Sequence, residues 1–316
     1  MKERENHIDI AAGLMICWMI LWHILWVGSI NGLDYCPIFL FFMPWFFFKS
    51  GMYYHERAIR QQLYASYKKL ILPYLIMTGV SYIVVVLLAI GNTEWFTFRN
   101  LVYLPIRRTF FYGAFPSNGS LWFLFTLFLV LNIANIAFRK IHPLFIAGVC
   151  GTAAWLLSEY GSEYIPDWIA NTCSGLFFFC VGYFMREWQY NKVIVAVAAA
   201  VFVLFTIIGL PTMDFHANRL YHGNYGIFLL CSICGIIVLN NICLPFKYSK
   251  GLFAAIGRDA MNYYIIHGLL ILITNAVVTR MFGWSGEWQN VVICFGSCVV
   301  FLPMINHLMK LIINKI

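Results

Sequence analysis

Charged residues are scarce in this chain. Asp, Glu, Lys and Arg make up 11% of the 316 residues, whereas hydrophobic residues make up 62%. Soluble globular proteins are about 25% charged and about 45–50% apolar. Because so few charges cannot cover a water-facing surface, the composition excludes a soluble enzyme, a disordered protein and a nucleic-acid-binding domain. The composition therefore predicts a protein that lies in the lipid bilayer.

The sequence also lacks the motifs of soluble enzymes. No nucleophile elbow, Walker-type phosphate loop, dinucleotide fingerprint or zinc-binding H-E-x-x-H helix is present. Most of the ten cysteines lie inside apolar runs, including the C-x-x-C pair Cys231 and Cys234, so we expect them to pack as small hydrophobic residues. His216 and His222 lack the further ligands that zinc requires, and we predict no metal site.

Long apolar stretches are abundant instead. A helix of about 20 apolar residues crosses a bilayer, and ten stretches approach that length. They are Ile8–Ile30, Pro37–Tyr54, Leu70–Ile90, Leu121–Phe138, Pro143–Ser158, Ile169–Met185, Val193–Leu210, Tyr225–Cys243, Asn262–Thr279 and Asn290–Met309. The sequence thus predicts an all-α polytopic membrane protein of about ten transmembrane helices, with one domain over residues 1–316 and no appended soluble domain.

The distribution of charge predicts the orientation. Most of the 21 Lys and Arg residues fall in the segments on the N-terminal side of the bilayer, as the positive-inside rule expects of cytoplasmic loops. Both termini are therefore predicted to be cytoplasmic, in a multi-pass protein of the cytoplasmic (inner) membrane. Two outer segments, 91–119 and 211–224, are longer than tight turns, and binding functions often lie in such loops.

Titratable groups at membrane depth are costly, so each is a candidate functional residue. His23 lies 14 residues after Asp9, which is about 21 Å along a helix. A neutral imidazole at that depth is suited to general-base chemistry near neutral pH. His23 is equally explained as a structural histidine bonded to a neighbouring helix, and the same two interpretations apply to His267 in the ninth span.

Basic residues on the predicted cytoplasmic side could bind an anionic ligand. Lys49 either snorkels to the interface or places a cation at the mouth of a cavity, facing a phosphate or carboxylate. Arg57, Lys68 and Lys69 belong to a basic segment that could hold the phosphates of a nucleotide-bearing donor. The alternative is that this segment is basic only because cytoplasmic loops usually are.

Five segments, taken in order, resemble one family of membrane enzymes. HIDIAAGLMICWMILWHI, FFFKSGMYY, YKKLILPYL, SLWFLFTLF and NYYIIHGLL are similar to successive segments of the acyltransferase-3 family of integral membrane acyltransferases. The matches extend over most of the chain, and the most similar subgroup is that of the fucose 4-O-acetylase-like proteins. Members carry acyl groups, usually acetyl, from cytoplasmic acyl-CoA to hydroxyls of extracytoplasmic or membrane-bound carbohydrates and related acceptors.

The resemblance also implies roles for individual residues. It assigns catalysis to His23, late in the first span, and the acyl-donor side to Lys68 and Lys69. One departure stands out, because the family commonly has Arg or Lys eleven positions before the catalytic histidine and this chain has Ala12. Our hypothesis is that Lys49 replaces that cation.

Together these observations predict a membrane O-acyltransferase with acetyl-CoA as co-substrate, no permanently bound cofactor and a carbohydrate or glycolipid acceptor. The predicted donor-binding residues are Lys49, Arg57, Lys68 and Lys69. Those predicted to bind the acceptor or line the site are Asp9, Trp122, Arg107, Arg108 and His267, although Trp122 could instead be an interfacial anchor. Direct transfer and an acetyl-histidine intermediate both remain open, as does the oligomeric state.

The alternative is a multi-pass transporter or flippase that moves a polar lipid or sugar without chemistry. Ten spans with buried titratable groups fit that function too. The chain shows no internal repeat of the kind that many secondary transporters carry, and this counts against the alternative.

Overall fold

The computed structural model of the protein describes residues 6–27, 40–115, 118–161, 165–186 and 191–313. These residues are almost entirely helical. The helices are α1 (His7–Val27), α2 (Phe42–Met52), α3 (Ile59–Ser66), α4 (Leu72–Leu88), α5 (Leu104–Tyr112), α6 (Trp122–Ala137), α7 (Pro143–Tyr160), α8 (Asp167–Met185), α9 (Lys192–Ile208), α10 (Tyr225–Cys243), α11 (Leu252–Arg258), α12 (Ala260–Phe282) and α13 (Trp288–Ile313). A π-helical turn, Tyr67–Ile71, joins α3 to α4.

Within the described residues, seven helical stretches are long and apolar enough to cross a membrane. They are His7–Leu25, Ile59–Leu88, Gly119–Ala137, Asp167–Met185, Tyr225–Phe246, Ala260–Phe282 and Trp288–Leu308. The other three predicted spans correspond to α2, with 11 residues, to α7, with 18, and to α9, a shorter apolar helix. The protein is thus a helical membrane protein, and the count of ten spans stays a prediction.

Some sequence-based expectations concern residues outside the described ranges. They include the end of the predicted first span at Ile30 and the start of the predicted second span at Pro37. The predicted outer loop 91–119 is wrong in one respect, because it contains the helix α5. Pro105 lies in the first turn of α5, where proline is tolerated, and Gly113 ends the helix in the left-handed conformation at φ 69°.

Glycines allow two helix pairs to pack backbone against backbone. A side chain at Gly51 of α2 would collide with the carbonyl of Phe179 in α8, and one at Gly182 of α8 would collide with the carbonyl of Phe48. Between α1 and α11, a side chain at Gly257 would collide with the carbonyl of Asp9. Small residues at such crossings are typical of membrane helices, since close backbone approach maximises van der Waals contact.

The interior is filled with aromatic side chains, and the outside is apolar. Trp45, Phe47 and Phe178 are fully buried between the helices. Trp45 donates a hydrogen bond from Nε1 to Asn240 Oδ1 at 2.9 Å, which satisfies a buried donor. Large side chains such as Ile207 and Phe98 face outward, as expected where lipid is the solvent.

A β-hairpin covers one end of the bundle. Strands β1 (Thr212–Asp214) and β2 (Arg219–His222) pair antiparallel within the predicted outer segment 211–224. The turn buries Phe215, whose ring lies 6.1 Å from those of Trp122 and Phe178. Asn218 closes the turn at φ 50° and donates from Nδ2 to the Ala154 carbonyl at 2.8 Å. The hairpin is therefore part of the packed structure.

Candidate functional site

A cavity of about 690 Å³ lies between α1, α2, α3, α6 and α12, at the opposite end of the bundle from the hairpin. Its lining includes the exposed side chains His55 and Arg57, so the cavity reaches the surface there. The deeper part of the lining is formed by apolar and aromatic side chains, including those of Ile16, Leu127 and Tyr264. The cavity thus joins a polar mouth to an apolar interior, as ligand-binding clefts commonly do.

Basic side chains from different elements meet at this mouth. They are Lys49 from α2, Arg57 from the α2–α3 connection, Lys69 from the π-helical turn and Arg258 from the end of α11. The acidic residue in the lining is Asp9. An excess of cations in a concave site attracts and holds phosphate groups.

Asn135 of α6 holds the segment that carries Arg57. Its Oδ1 accepts from the Tyr54 hydroxyl at 2.6 Å and from the Arg57 backbone N–H at 3.1 Å, and its Nδ2 donates to the Arg57 carbonyl at 3.0 Å. An ion pair of 3.3 Å between Arg139 and Glu56 lies alongside.

Lys69 reaches the cavity because it continues one face of α3. Gln62, Ser66 and Lys69 all line the cavity, and their spacing is that of a single helix face. Ser66 Oγ accepts from Asn132 Nδ2 of α6 at 2.9 Å, which ties this face to the bundle. Lys68 is exposed and lies outside the lining, although the sequence predicted both lysines together. Single π-helical turns often occur at functional sites.

One face of α1 connects the cavity to His23. Asp9 and Ile16 line the cavity, and His23 follows Ile16 by another two turns on the same face, about 10.5 Å deeper. Ala12 is fully buried between Asp9 and Ile16. Lys49 faces the same cavity from α2, as the replacement hypothesis for Ala12 requires.

His23 and His267 form a pair beyond the deep end of the cavity. Their ring centroids are 5.0 Å apart, with the rings nearly perpendicular. His23 Nδ1 lies 2.8 Å from the Met19 carbonyl, and His267 Nδ1 lies 2.6 Å from the Tyr264 carbonyl. Since a carbonyl oxygen only accepts, both Nδ1 atoms carry the hydrogen of the neutral ring, and both Nε2 atoms keep a lone pair.

Tyr264 separates this pair from the cavity. Its ring lies 5.7 Å from that of His267 and 5.3 Å from that of Phe123, and both Tyr264 and Phe123 line the cavity. The chain of contacts therefore runs from the basic mouth through Tyr264 to His267 and then to His23. Neither His23 nor His267 lines the cavity itself. A group bound in the cavity therefore reaches the histidine pair only by passing Tyr264.

The comparison with protein families matches residues 5–305 to the acyltransferase domain of the acyltransferase-3 family. The chain belongs to this family. Membership makes it a membrane acyltransferase, in keeping with its apolar helices, and favours an enzyme over a transporter. The fucose 4-O-acetylase-like subgroup stays a prediction. No curated protein and no solved structure is significantly similar to the chain.

The residues that the sequence predicted at the acceptor side of this acyltransferase lie in separate places. Trp122 is buried against the hairpin, with its ring 5.4 Å from that of His216. Arg107 is exposed on α5 and lies over the Phe111 ring at 5.9 Å. Arg108 lines a smaller cavity of about 150 Å³. Of the predicted residues, Asp9, Lys49, Arg57 and Lys69 meet in one cavity, and His267 meets His23.

Two residues of the candidate site were missed by the sequence analysis. Arg258 follows Gly257, whose lack of a side chain brings the end of α11 onto α1. Tyr264 lies in the NYYIIHGLL segment, but nothing in that pattern distinguishes it from Tyr263. Among the described residues, no group of three or more His, Cys, Asp or Glu side chains is placed to bind a metal ion.

Proposed function

We propose that this acyltransferase moves an acetyl group from acetyl-CoA to a hydroxyl of an extracytoplasmic or lipid-linked carbohydrate, with His23 as the catalytic base. The observation that carries the proposal is a cavity lined by four basic residues, whose lining residue Tyr264 contacts His267 of the histidine pair. The resemblance of the first span to the family's catalytic segment supports the role of His23.

The donor would occupy the cavity from the basic end. Lys49, Arg57, Lys69 and Arg258 would bind the phosphates of coenzyme A through charge-assisted hydrogen bonds. The uncharged arm that ends in the thioester would extend along the apolar part of the lining, past Leu127 toward Tyr264, and the Tyr264 ring would have to move aside for the thioester to reach His23. Because most basic residues of the chain lie on the predicted cytoplasmic side, this end would face the cytoplasm.

The acceptor would approach from the hairpin end of the bundle. Its hydroxyl would give a proton to the Nε2 lone pair of His23, and the oxygen would attack the thioester carbonyl carbon. The carbon–sulfur bond would then break, and the thiolate of coenzyme A would leave. A direct attack needs only a base and a positioned donor, whereas an acetyl-His23 intermediate would use the same nitrogen as a nucleophile.

The first test is the hydrolysis of acetyl-CoA by the protein in nanodiscs, in which water takes the place of the carbohydrate hydroxyl and the release of coenzyme A is measured. We expect steady release by the wild type. The rate for His23→Ala should fall by at least about 100-fold, since general-base catalysis contributes about 10²–10⁴-fold. His307→Ala is the matched control, because His307 is an exposed histidine of α13 and should leave the rate unchanged.

Two results would contradict the proposal. One is full activity of His23→Ala, which would exclude His23 as the base. The other is a failure of acetyl-CoA to bind the wild-type protein, measured by equilibrium binding in the same nanodiscs. That failure would exclude acetyl-CoA as the donor, while leaving open a different acyl donor for this acyltransferase.

A further inference from the structure

The second histidine of the pair, His267, has one ring nitrogen without a visible role. His267 is fully buried, and its Nδ1–H is already satisfied by the Tyr264 carbonyl. Its Nε2 has no hydrogen-bond partner among the residues that the structure describes. A buried polar atom without a partner costs free energy, so an unpaired nitrogen next to a candidate catalytic base suggests a partner that is present only during the reaction.

We infer that His267 is the positioning partner of His23: its Nε2 accepts a hydrogen bond from the Nε2–H that His23 acquires when it deprotonates the acceptor. The inference rests on the proposed function. The two rings are in direct contact, with centroids 5.0 Å apart and an interplanar angle of 72°. Met19 and Tyr264 hold both Nδ1 atoms, and only the Nε2 atoms remain for this contact.

The protonated His23 needs such a hydrogen bond because the histidine pair lies inside the membrane-spanning bundle. A positive charge inside the membrane is expensive unless a neighbouring group shares or compensates it. Serine hydrolases stabilise the histidinium with a carboxylate at Nδ1, but His23 has a backbone carbonyl in that position. An imidazole that accepts the new N–H spreads the charge over two rings and needs no permanently charged group in the apolar interior.

The proton taken from the acceptor can be followed through one complete turnover. The acceptor hydroxyl loses its proton to His23 Nε2 as its oxygen attacks the thioester carbonyl. The proton is then held between the Nε2 atoms of His23 and His267. When the carbon–sulfur bond breaks, the coenzyme A thiolate takes the proton, and both imidazoles return to the neutral form.

The test compares two substitutions that separate the two ring nitrogens. The amide of His267→Asn lies near the position of Nδ1 and retains a donor for the Tyr264 carbonyl, but it leaves nothing at Nε2. The longer His267→Gln side chain can place its carbonyl oxygen near the Nε2 position. We expect kcat for coenzyme A release to fall at least about tenfold in His267→Asn and less in His267→Gln, while the Kd for acetyl-CoA changes little.

A double-mutant cycle gives a result that a structural role would not produce. In the His23→Ala background, His267→Asn should cause no further loss, because a positioning residue acts only through the base. If the two losses multiply, His267 has an independent role and the inference is wrong. If His267→Asn does not fold, the same cycle is measured with His267→Gln.

The remaining outcomes separate this inference from the proposed function. Full kcat in folded His267→Asn, together with an inactive His23→Ala, would overturn the inference alone. Equal losses in the Asn and Gln variants would overturn it as well, since the hydrogen-bond acceptor would then not matter. A wild-type protein that neither binds acetyl-CoA nor releases coenzyme A would overturn both.

Discussion

At the scale of single residues, two adjacent lysines of equal charge face different surroundings. Both lysines are exposed, but Lys69 lines the cavity and Lys68 does not. The sequence could not separate them, because a basic pair contains no information about helix phase. The turn at Tyr67–Ile71 determines which of the two faces the bundle.

This difference leads to a matched prediction about donor binding. Lys69→Ala should raise the Kd for acetyl-CoA by about tenfold, as expected from the loss of one hydrogen bond to a charged group. Lys68→Ala should raise it less than about twofold, because Lys68 lies outside the cavity lining and its charge acts on the donor only through solvent and salt. Isothermal titration of both variants in nanodiscs would check this. Equal weakening by the two substitutions would mean that only the overall charge of the segment matters.

At the scale of secondary structure elements, the position of Lys49 depends on how α2 packs on α8. Helix α2 has only 11 residues, so it has little stability of its own. Gly51 and Gly182 let the two backbones touch, and Phe47 packs over Gly175 of α8. The contact buries one face of α2 and leaves Lys49 on the cavity side.

The packing of α2 on α8 can be tested with a matched pair of glycine substitutions. Gly182→Val would force its side chain into the Phe48 carbonyl, and overpacking of this kind costs about 1–3 kcal/mol or more. We expect the melting temperature in detergent to fall by several degrees and acetyl-CoA binding to weaken. Gly148→Val in α7 is the control, since a side chain there meets nothing within 4 Å. If both variants melt like the wild type, the close contact does not stabilise the protein.

At the scale of the whole molecule, the two ends of the bundle differ in character. One end holds the cavity with Lys49, Arg57, Lys69 and Arg258, and the other holds the hairpin, Trp122 and α5. The proposed entry of donor and acceptor from opposite sides of the membrane requires this separation. The orientation of the bundle decides which compartment supplies each substrate.

The orientation predicts which introduced cysteines a membrane-impermeant maleimide reaches. Arg60→Cys, at the exposed start of α3, should be labelled in inside-out vesicles and protected in intact cells. Arg107→Cys, exposed on α5, should show the reverse. Labelling is measured as a mass shift above that of the parent protein, whose own cysteines are the background. The opposite pattern would place the basic cavity outside and contradict donor entry from the cytoplasm.

Much of the helical architecture was predictable from local hydrophobicity. The predicted span Tyr225–Cys243 coincides with α10, and Ile169–Met185 lies within α8. Twenty apolar residues have few alternatives to a helix in lipid, because each backbone polar group must find a partner within the segment. The shortness of α2 and the helix α5 were not predicted, since local hydrophobicity does not reveal where tertiary contacts end a helix or where a proline begins one.

The apolar composition alone identifies a membrane protein, and His23 and Lys49 stand out in the sequence because each is a titratable group within an apolar run. Which distant residues meet depends on the folded structure. Arg258 reaches the cavity through the glycine contact between α11 and α1, and His267 meets His23 from a helix more than 230 residues away in the chain. Such contacts depend on the crossing of helices, and hydrophobicity along the chain carries no information about which faces cross.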